Sequence, residues 1–230
     1  MCGRYTAIAD LREVVTAMGV DEVIASIGEP RYNIAPTQEV SAVIESAGVR
    51  QLDLFTWGLV LPWSKLAPSN LINARVESVT QKPSFREAIR YRRCLIPATG
   101  WYEWQSTVLS ARKKQPFYFH SNSSNILAFA GIYVINEKAE KSFAIITQPA
   151  NEVVIAIHDR MPLILDSSGF SDWLDPDQKD GDLAVVQARA TKLPQLVGYA
   201  VSTEVNSARA QGTQLILPST PEPTQPELFN

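Results

Sequence analysis

The sequence predicts an α+β fold: a single compact, strand-rich domain over residues 1–217 carrying a few short helices, followed by a proline-rich tail over 218–230. Three observations point there. Alternating apolar runs at Val40–Ser46 and Leu52–Val60 face each other across Ala47-Gly48, the pattern of an antiparallel hairpin. Further strand-like runs at Phe117–His120, Ile126–Val134 and Ser142–Ile146 are separated by loops rich in Ser, Asn and Lys. Helical periodicity, by contrast, is confined to short segments, and 230 residues suffice to bury a substantial core.

Taken in order, Asp10 opens the first helix. Leu11, Val14, Val15 and Met18 recur at helical spacing, Glu13 completes a capping-box pair with Asp10, and Gly19 is placed to stop the helix. Arg31-Tyr32-Asn33-Ile34-Ala35-Pro36-Thr37 reads as an ordered loop, because Pro36 disfavours helix at Ala35. After the hairpin, Trp63 stands beside Pro62, either packed on a neighbouring element or serving as a stacking platform for bases, worth ~1–3 kcal/mol each. Asn70–Glu77 crowds two amides, a cation and a carboxylate into eight residues, a polar density typical of a site. A helix follows with Pro83 near its first turn and Phe85, Ala88 and Ile89 facing inward. Tyr91–Pro97 reads as a buried strand, with Cys94 an inert core thiol.

In Gly100–Trp104, strand geometry places Trp101, Glu103 and Gln105 on one face and Tyr102 and Trp104 on the other. A carboxylate flanked by aromatics is partly desolvated, which raises its pKa toward the range useful for proton transfer; pairing with an arginine is the competing role. A helix from about Asn151 to Ile157 is expected to deliver His158-Asp159-Arg160-Met161-Pro162. Acidic helical stretches around Phe170–Leu174 and Leu183–Arg189 then precede a strand at Leu196–Val201. Beyond it, Pro218, Pro221, Pro223 and Pro226 preclude a packed element.

Composition narrows the function classes. The hydrophobic fraction is 45% and the charged fraction 20%, ordinary for a soluble globular protein. No apolar run approaches the ~20 residues a bilayer requires, and no secretory pattern opens the chain, so a cytoplasmic protein without membrane contact is expected. Cys2 and Cys94 make no disulfide framework, and with His120 and His158 as the only histidines no metal site or cofactor is expected. The net charge of −3 hides an asymmetry: nine cationic residues between Arg75 and Lys114 meet only Glu77, Glu87 and Glu103. Such a patch could track a phosphate backbone, or it could be a solvated helix face.

The chemistry concentrates at Met1-Cys2-Gly3-Arg4-Tyr5. Removal of Met1 would leave Cys2 with an α-amine and a thiol on adjacent carbons, titrating near ~8 and ~8.5. An aldehyde condenses with such an amine to an imine, and the sulfur then closes a five-membered thiazolidine. Gly3 permits close backbone approach to a ligand, and Arg4 favours an anionic one.

Met-Cys-Gly-Arg-Tyr, Arg31–Pro36, Trp57-Gly58, Asn73–Glu77, Arg93–Pro97, Gly100–Trp104 and His158–Pro162 occur in the order and approximate spacing of the SOS response-associated peptidase family of abasic-site processing proteins. The resemblance spans Cys2 to Leu217. It implies a compact domain with largely antiparallel, barrel-like sheets, and covalent capture of abasic sites in single-stranded DNA. By this resemblance Cys2 is the nucleophile and Glu103 the acid/base. His158 helps open the sugar ring, and Asn73 orients the sugar. Arg4, Arg75 and Arg160 contact phosphates, while Pro36 and Trp63 make apolar contacts with bases. The resemblance also implies peptidase-like removal of Met1 and weak lyase activity on abasic DNA, with association with the nucleoid when DNA is bound. Two alternatives stand beside it: an N-terminal-nucleophile hydrolase acting on a small amide, and a noncovalent single-strand binder. In the tail, Gln225, Leu228 and Phe229 resemble a bacterial sliding-clamp-binding peptide, although Pro226 stands where that motif favours an apolar residue.

Overall fold

The structure is a computed structural model and describes residues 2–61, 71–105 and 114–220. Its first half contains β1 (Arg4–Ala7), α1 (Leu11–Met18), β2 (Glu22–Val23), β3 (Arg31–Ile34), β4 (Glu39–Ser46), β5 (Val49–Trp57), β6 (Asn73–Arg75), α2 (Arg86–Tyr91), β7 (Arg93–Ala98) and β8 (Gly100–Trp104). The second half adds β9 (Pro116–Ser121), β10 (Leu127–Ile135), β11 (Lys141–Pro149), β12 (Arg160–Pro162), β13 (Ile164–Leu165), α3 (Phe170–Leu174), α4 (Gly181–Ala190) and β14 (Leu196–Ala200).

One sheet has the order β14-β9-β8-β1-β3 and is antiparallel throughout. The other runs β12-β11-β10-β7-β4-β5-β2, and a parallel pairing of β11 with β5 joins its middle strands into a ring. The expected α+β class and largely antiparallel sheets are therefore present in one compact domain.

Period-two alternation sorts the ring's strands between two cores. On β7, Cys94 and Ile96 pack with Tyr5, Trp57, Trp101 and Phe129 against the first sheet, whereas Leu95 joins the residues beneath α2, α3 and α4. Cys2 lies in the first of these cores. Helix α1 forms as its sequence dictates: Asp10 accepts from the Glu13 amide, Glu13 reciprocates, and Gly19 closes the helix at φ 62°. Arg93 closes the helical side. Its buried guanidinium donates to the carbonyls of Ile89, Arg90, Trp173, Asp175 and Gln178, tying α2 to α3 and to the segment leading into α4.

Three local expectations are corrected. Arg31–Ile34 is not loop but β3, whose backbone groups pair with β1. Asn151–Ile157 forms separate helical turns, because the bonds Ile155→Asn151 and His158→Val154 are not joined into a continuous ladder. The β-branched run Val153-Val154-Ile155 disfavours such continuity. At the tail boundary, Pro218 bridges Val201 and the Ser219 amide donates to Ala200, so pairing extends past Leu217. Trp63 and the tail residues Gln225, Leu228 and Phe229 lie outside the described residues. Among the described residues, no helix is long and apolar enough to cross a membrane.

Candidate active site

Residue 2 enters the fold two residues before β1, in the core between the first sheet and the ring. Asn73 reaches it from the ring. Its Nδ2 donates to the Cys2 carbonyl at 2.8 Å, while its buried Oδ1 has no partner among the described residues, leaving an acceptor for a hydroxyl or ammonium. The position of Asn73 is set from both sides: β6 pairs in parallel with β11, placing Asn73 opposite Ile145, and the Trp57 indole donates to the adjacent Ile72 carbonyl. Trp57-Gly58 thus serves the site by anchoring β6, and Gly58 takes φ 122°, a conformation that disfavours side chains.

Glu103 arrives from β8, the strand beside β1, and is buried at 1% exposure. Burial lifts its carboxyl to about 7, against the opposing pull of the chain's α-amine, which here belongs to Met1. Burial also pushes the Cys2 thiol well up, and the nearby Glu103 charge adds to the rise. Cys2 is fully buried in the chain that retains Met1. Burial thus disfavours the thiolate, and Glu103 is the carboxyl whose charge acts on it.

His158 follows the turns at 151–157. Its Nε2 lies 4.0 Å from Glu103 Oε2, and its Nδ1 accepts from the Arg160 backbone amide at 2.9 Å. The amide contact favours the neutral tautomer with the proton on Nε2, while Asp159 Oδ1, 3.1 Å from the same nitrogen, favours a proton on Nδ1. Burial is also the first cause of the lowered His158 pKa. The four residues expected to carry chemistry, Cys2, Asn73, Glu103 and His158, are thus brought together from β6, β8, the entry to β1 and the entry to β12. A separate cavity of about 50 Å³, lined by Tyr5, Leu11, Val14, Arg31 and Leu52 among others, includes none of these four.

The expected DNA contacts are placed less uniformly. Arg75 is exposed beside the site, and Pro36 is half-buried just beyond β3. Arg4 donates to Asn33 Oδ1 and to the Val205 carbonyl, both at 2.9 Å. Arg160 is 8% exposed and donates to Glu77 through both terminal nitrogens, at 2.6 and 3.0 Å, and to the Thr147 carbonyl. Two supporting residues were not legible from the sequence. Asn33, read only as part of a polar loop, is fully buried and ties β3 to the carbonyls of Val205, Ser207 and Ala210. Glu77, counted there only as part of a polar segment, anchors Arg160.

A family model described as SOS response associated peptidase matches residues 1–208. The chain is 35% identical over 224 residues to the abasic site processing protein YoqW of Bacillus subtilis, covering 94% of this chain and 99% of that protein. It is 30% identical over 228 residues to the abasic site processing protein YedK of Escherichia coli, covering 95% and 100%. A crystal structure of a Bacteroides thetaiotaomicron protein shares the fold with a TM-score of 0.80 at 23% identity, covering 95% of this chain and all of that one. The chain belongs to the SOS response-associated peptidase family.

Proposed function

We propose that this protein senses abasic sites in single-stranded DNA and captures them as a thiazolidine through Cys2 after Met1 is removed. The observation that supports this most is the convergence of Asn73, Glu103 and His158 on residue 2, a position that has both an amine and a thiol to offer only once it begins the chain. The names of the relatives, abasic site processing proteins, agree with the substrate.

The ring-opened abasic sugar is an aldehyde. The Cys2 amine adds to its carbon, and loss of water gives the imine. The thiol then adds to the carbon of the protonated imine as its own proton passes to the Glu103 carboxylate; the C=N electron pair returns to nitrogen, which becomes the secondary amine of the closed ring. A carboxyl held near 7 has both protonation states available at neutral pH, as sequential loss of water and uptake of a thiol proton require. Asn73 fixes the residue-2 backbone and offers Oδ1 to the sugar, and His158 directs Nε2 toward the same space. Removal of Met1 must also uncover the buried thiol. That removal is the peptidase-like step, and the imine, by acidifying the adjacent carbon, gives a weak lyase activity through β-elimination. Arg4, Arg75 and Arg160 serve the phosphates, Pro36 and Trp63 the bases, and the tail segment around Gln225, Leu228 and Phe229 docks on the replicative sliding clamp.

The test is incubation of Met1-processed protein with single-stranded oligonucleotide bearing one abasic site, followed by denaturing electrophoresis. A heat-stable adduct is expected from the native chain and none from Cys2→Ala. Equal adduct from both would remove Cys2 from the mechanism.

A further inference from the structure

The mechanism above leaves one requirement unmet. In the resting tautomer His158 carries its proton on Nε2 and accepts at Nδ1 from the Arg160 amide. Donating that Nε2 proton from the neutral ring would leave an imidazolate, so His158 can act as an acid only after Nδ1 has also been protonated. Once protonated, Nδ1 can no longer accept from an amide and needs an acceptor of its own. The structure supplies one: Asp159 Oδ1 lies 3.1 Å from Nδ1.

We propose that Asp159 is a positioning residue for His158, exchanging with the Arg160 amide as the partner of Nδ1; this rests on the covalent-capture reading above. The two partners differ in how firmly they are anchored. The amide is held in place because Arg160 pairs with Pro149 on β11, Ala150 donates to the Asp159 carbonyl, and the Arg160 side chain is anchored on Glu77 and Thr147. The Asp159 side chain is 79% exposed and its Oδ1 already lies 3.1 Å from Nδ1, so a small turn of the ring exchanges one partner for the other. Among the described residues, other charges near His158 are Glu103 from β8 and Lys114, the latter opposing its protonation together with the α-amine of Met1.

The proton count closes. Solvent protonates Nδ1 of the neutral ring, giving an imidazolium whose Nδ1–H donates to Asp159. Nε2–H then passes to the departing sugar oxygen, and the ring is left neutral with its proton on Nδ1, still held by Asp159. Exchange with solvent restores the resting tautomer on the Arg160 amide. Asp159 thereby keeps the proton on the side of the ring away from the substrate during transfer.

Two histidines make the test tractable, since His120→Gln leaves His158 as the one imidazole and alters no residue of the site. Nitrogen-15 spectra of that variant should show Nδ1 unprotonated and Nε2 protonated at high pH, with the Arg160 amide proton losing its downfield position as His158 titrates. Asp159→Asn should lower the pH midpoint of His158 and slow adduct formation at pH 7 about tenfold, part of the ~10²–10⁴-fold a general acid supplies. Asp159→Glu should restore most of the rate. A neutral ring protonated on Nδ1, an unmoved midpoint or an undiminished rate in Asp159→Asn would each overturn the proposal. The titration is read on protein without DNA, so an absence of adduct from every variant, with the midpoint still displaced, would refute covalent capture and leave the Asp159–His158 coupling standing.

Discussion

Replacing Glu103 by Gln should make the protein more stable at alkaline pH while impairing its chemistry. The carboxyl is 1% exposed, and its burial raises the pKa from 4.5 to about 7. A group whose folded-state pKa is raised contributes stability that is complete below the unfolded value and lost as pH rises through the folded value. The native chain therefore loses stability between about pH 4.5 and pH 7, as it is forced to ionise a buried carboxyl. The displacement corresponds to roughly 3 kcal/mol at 1.36 kcal/mol per pH unit. Gln has nearly the same shape and does not ionise. Glu103→Gln should thus match the native thermal midpoint near pH 4 and exceed it near pH 8, by about 6–12 °C at the ~2–4 °C per kcal/mol expected for a domain of this size. Scanning calorimetry across that range is the assay. A midpoint difference independent of pH, or a variant less stable at pH 8, would refute the assignment of Glu103 as a carboxyl strained by burial. In the same variant, adduct formation should slow and lose its inflection near neutrality.

Other outcomes follow from the same contacts. Asn73→Ala removes the hydrogen bond to the Cys2 carbonyl and should slow adduct formation by about 10²-fold, as loss of a polar group positioned at a reacting centre does, with the thermal midpoint little changed. Arg93→Met leaves five carbonyls without their donor and should cost about 3–5 kcal/mol in urea unfolding, while adduct formation below the melting range stays near native. Arg75→Ala should weaken DNA binding and reduce the slope of log affinity against log salt by about 1, read by fluorescence anisotropy; an unchanged slope would take Arg75 off the phosphate backbone.

Much of this was legible before the fold, for reasons particular to each segment. The hairpin announced itself because β4 and β5 alternate over a tight Ala47-Gly48 turn, and α1 because its cap, stripe and stop residue agree. The convergence on residue 2 could be inferred only from motif resemblance, since Asn73, Glu103 and His158 are brought together by pairings between strands distant in sequence. Three-residue β6 and β12 carry too little periodicity to be read as strands. The turns before His158 misled because apolar spacing there reflects packing of Val153, Val154 and Ile157 on the core rather than a continuous helix. The partners of Arg160 and Arg4 were hidden for a further reason: a sequence shows a cation's charge but not the carboxylate or carbonyl that a remote segment brings to it.

The two cysteines of the chain allow the central claim to be counted directly. Processed protein joined to an abasic oligonucleotide would be denatured, treated with iodoacetamide and weighed intact. A thiazolidine conjugate should be one water lighter than its components and take up a single label, at Cys94, while free protein takes up two. A conjugate that accepts two labels would show the Cys2 sulfur uncommitted, and the thiazolidine would have to be abandoned.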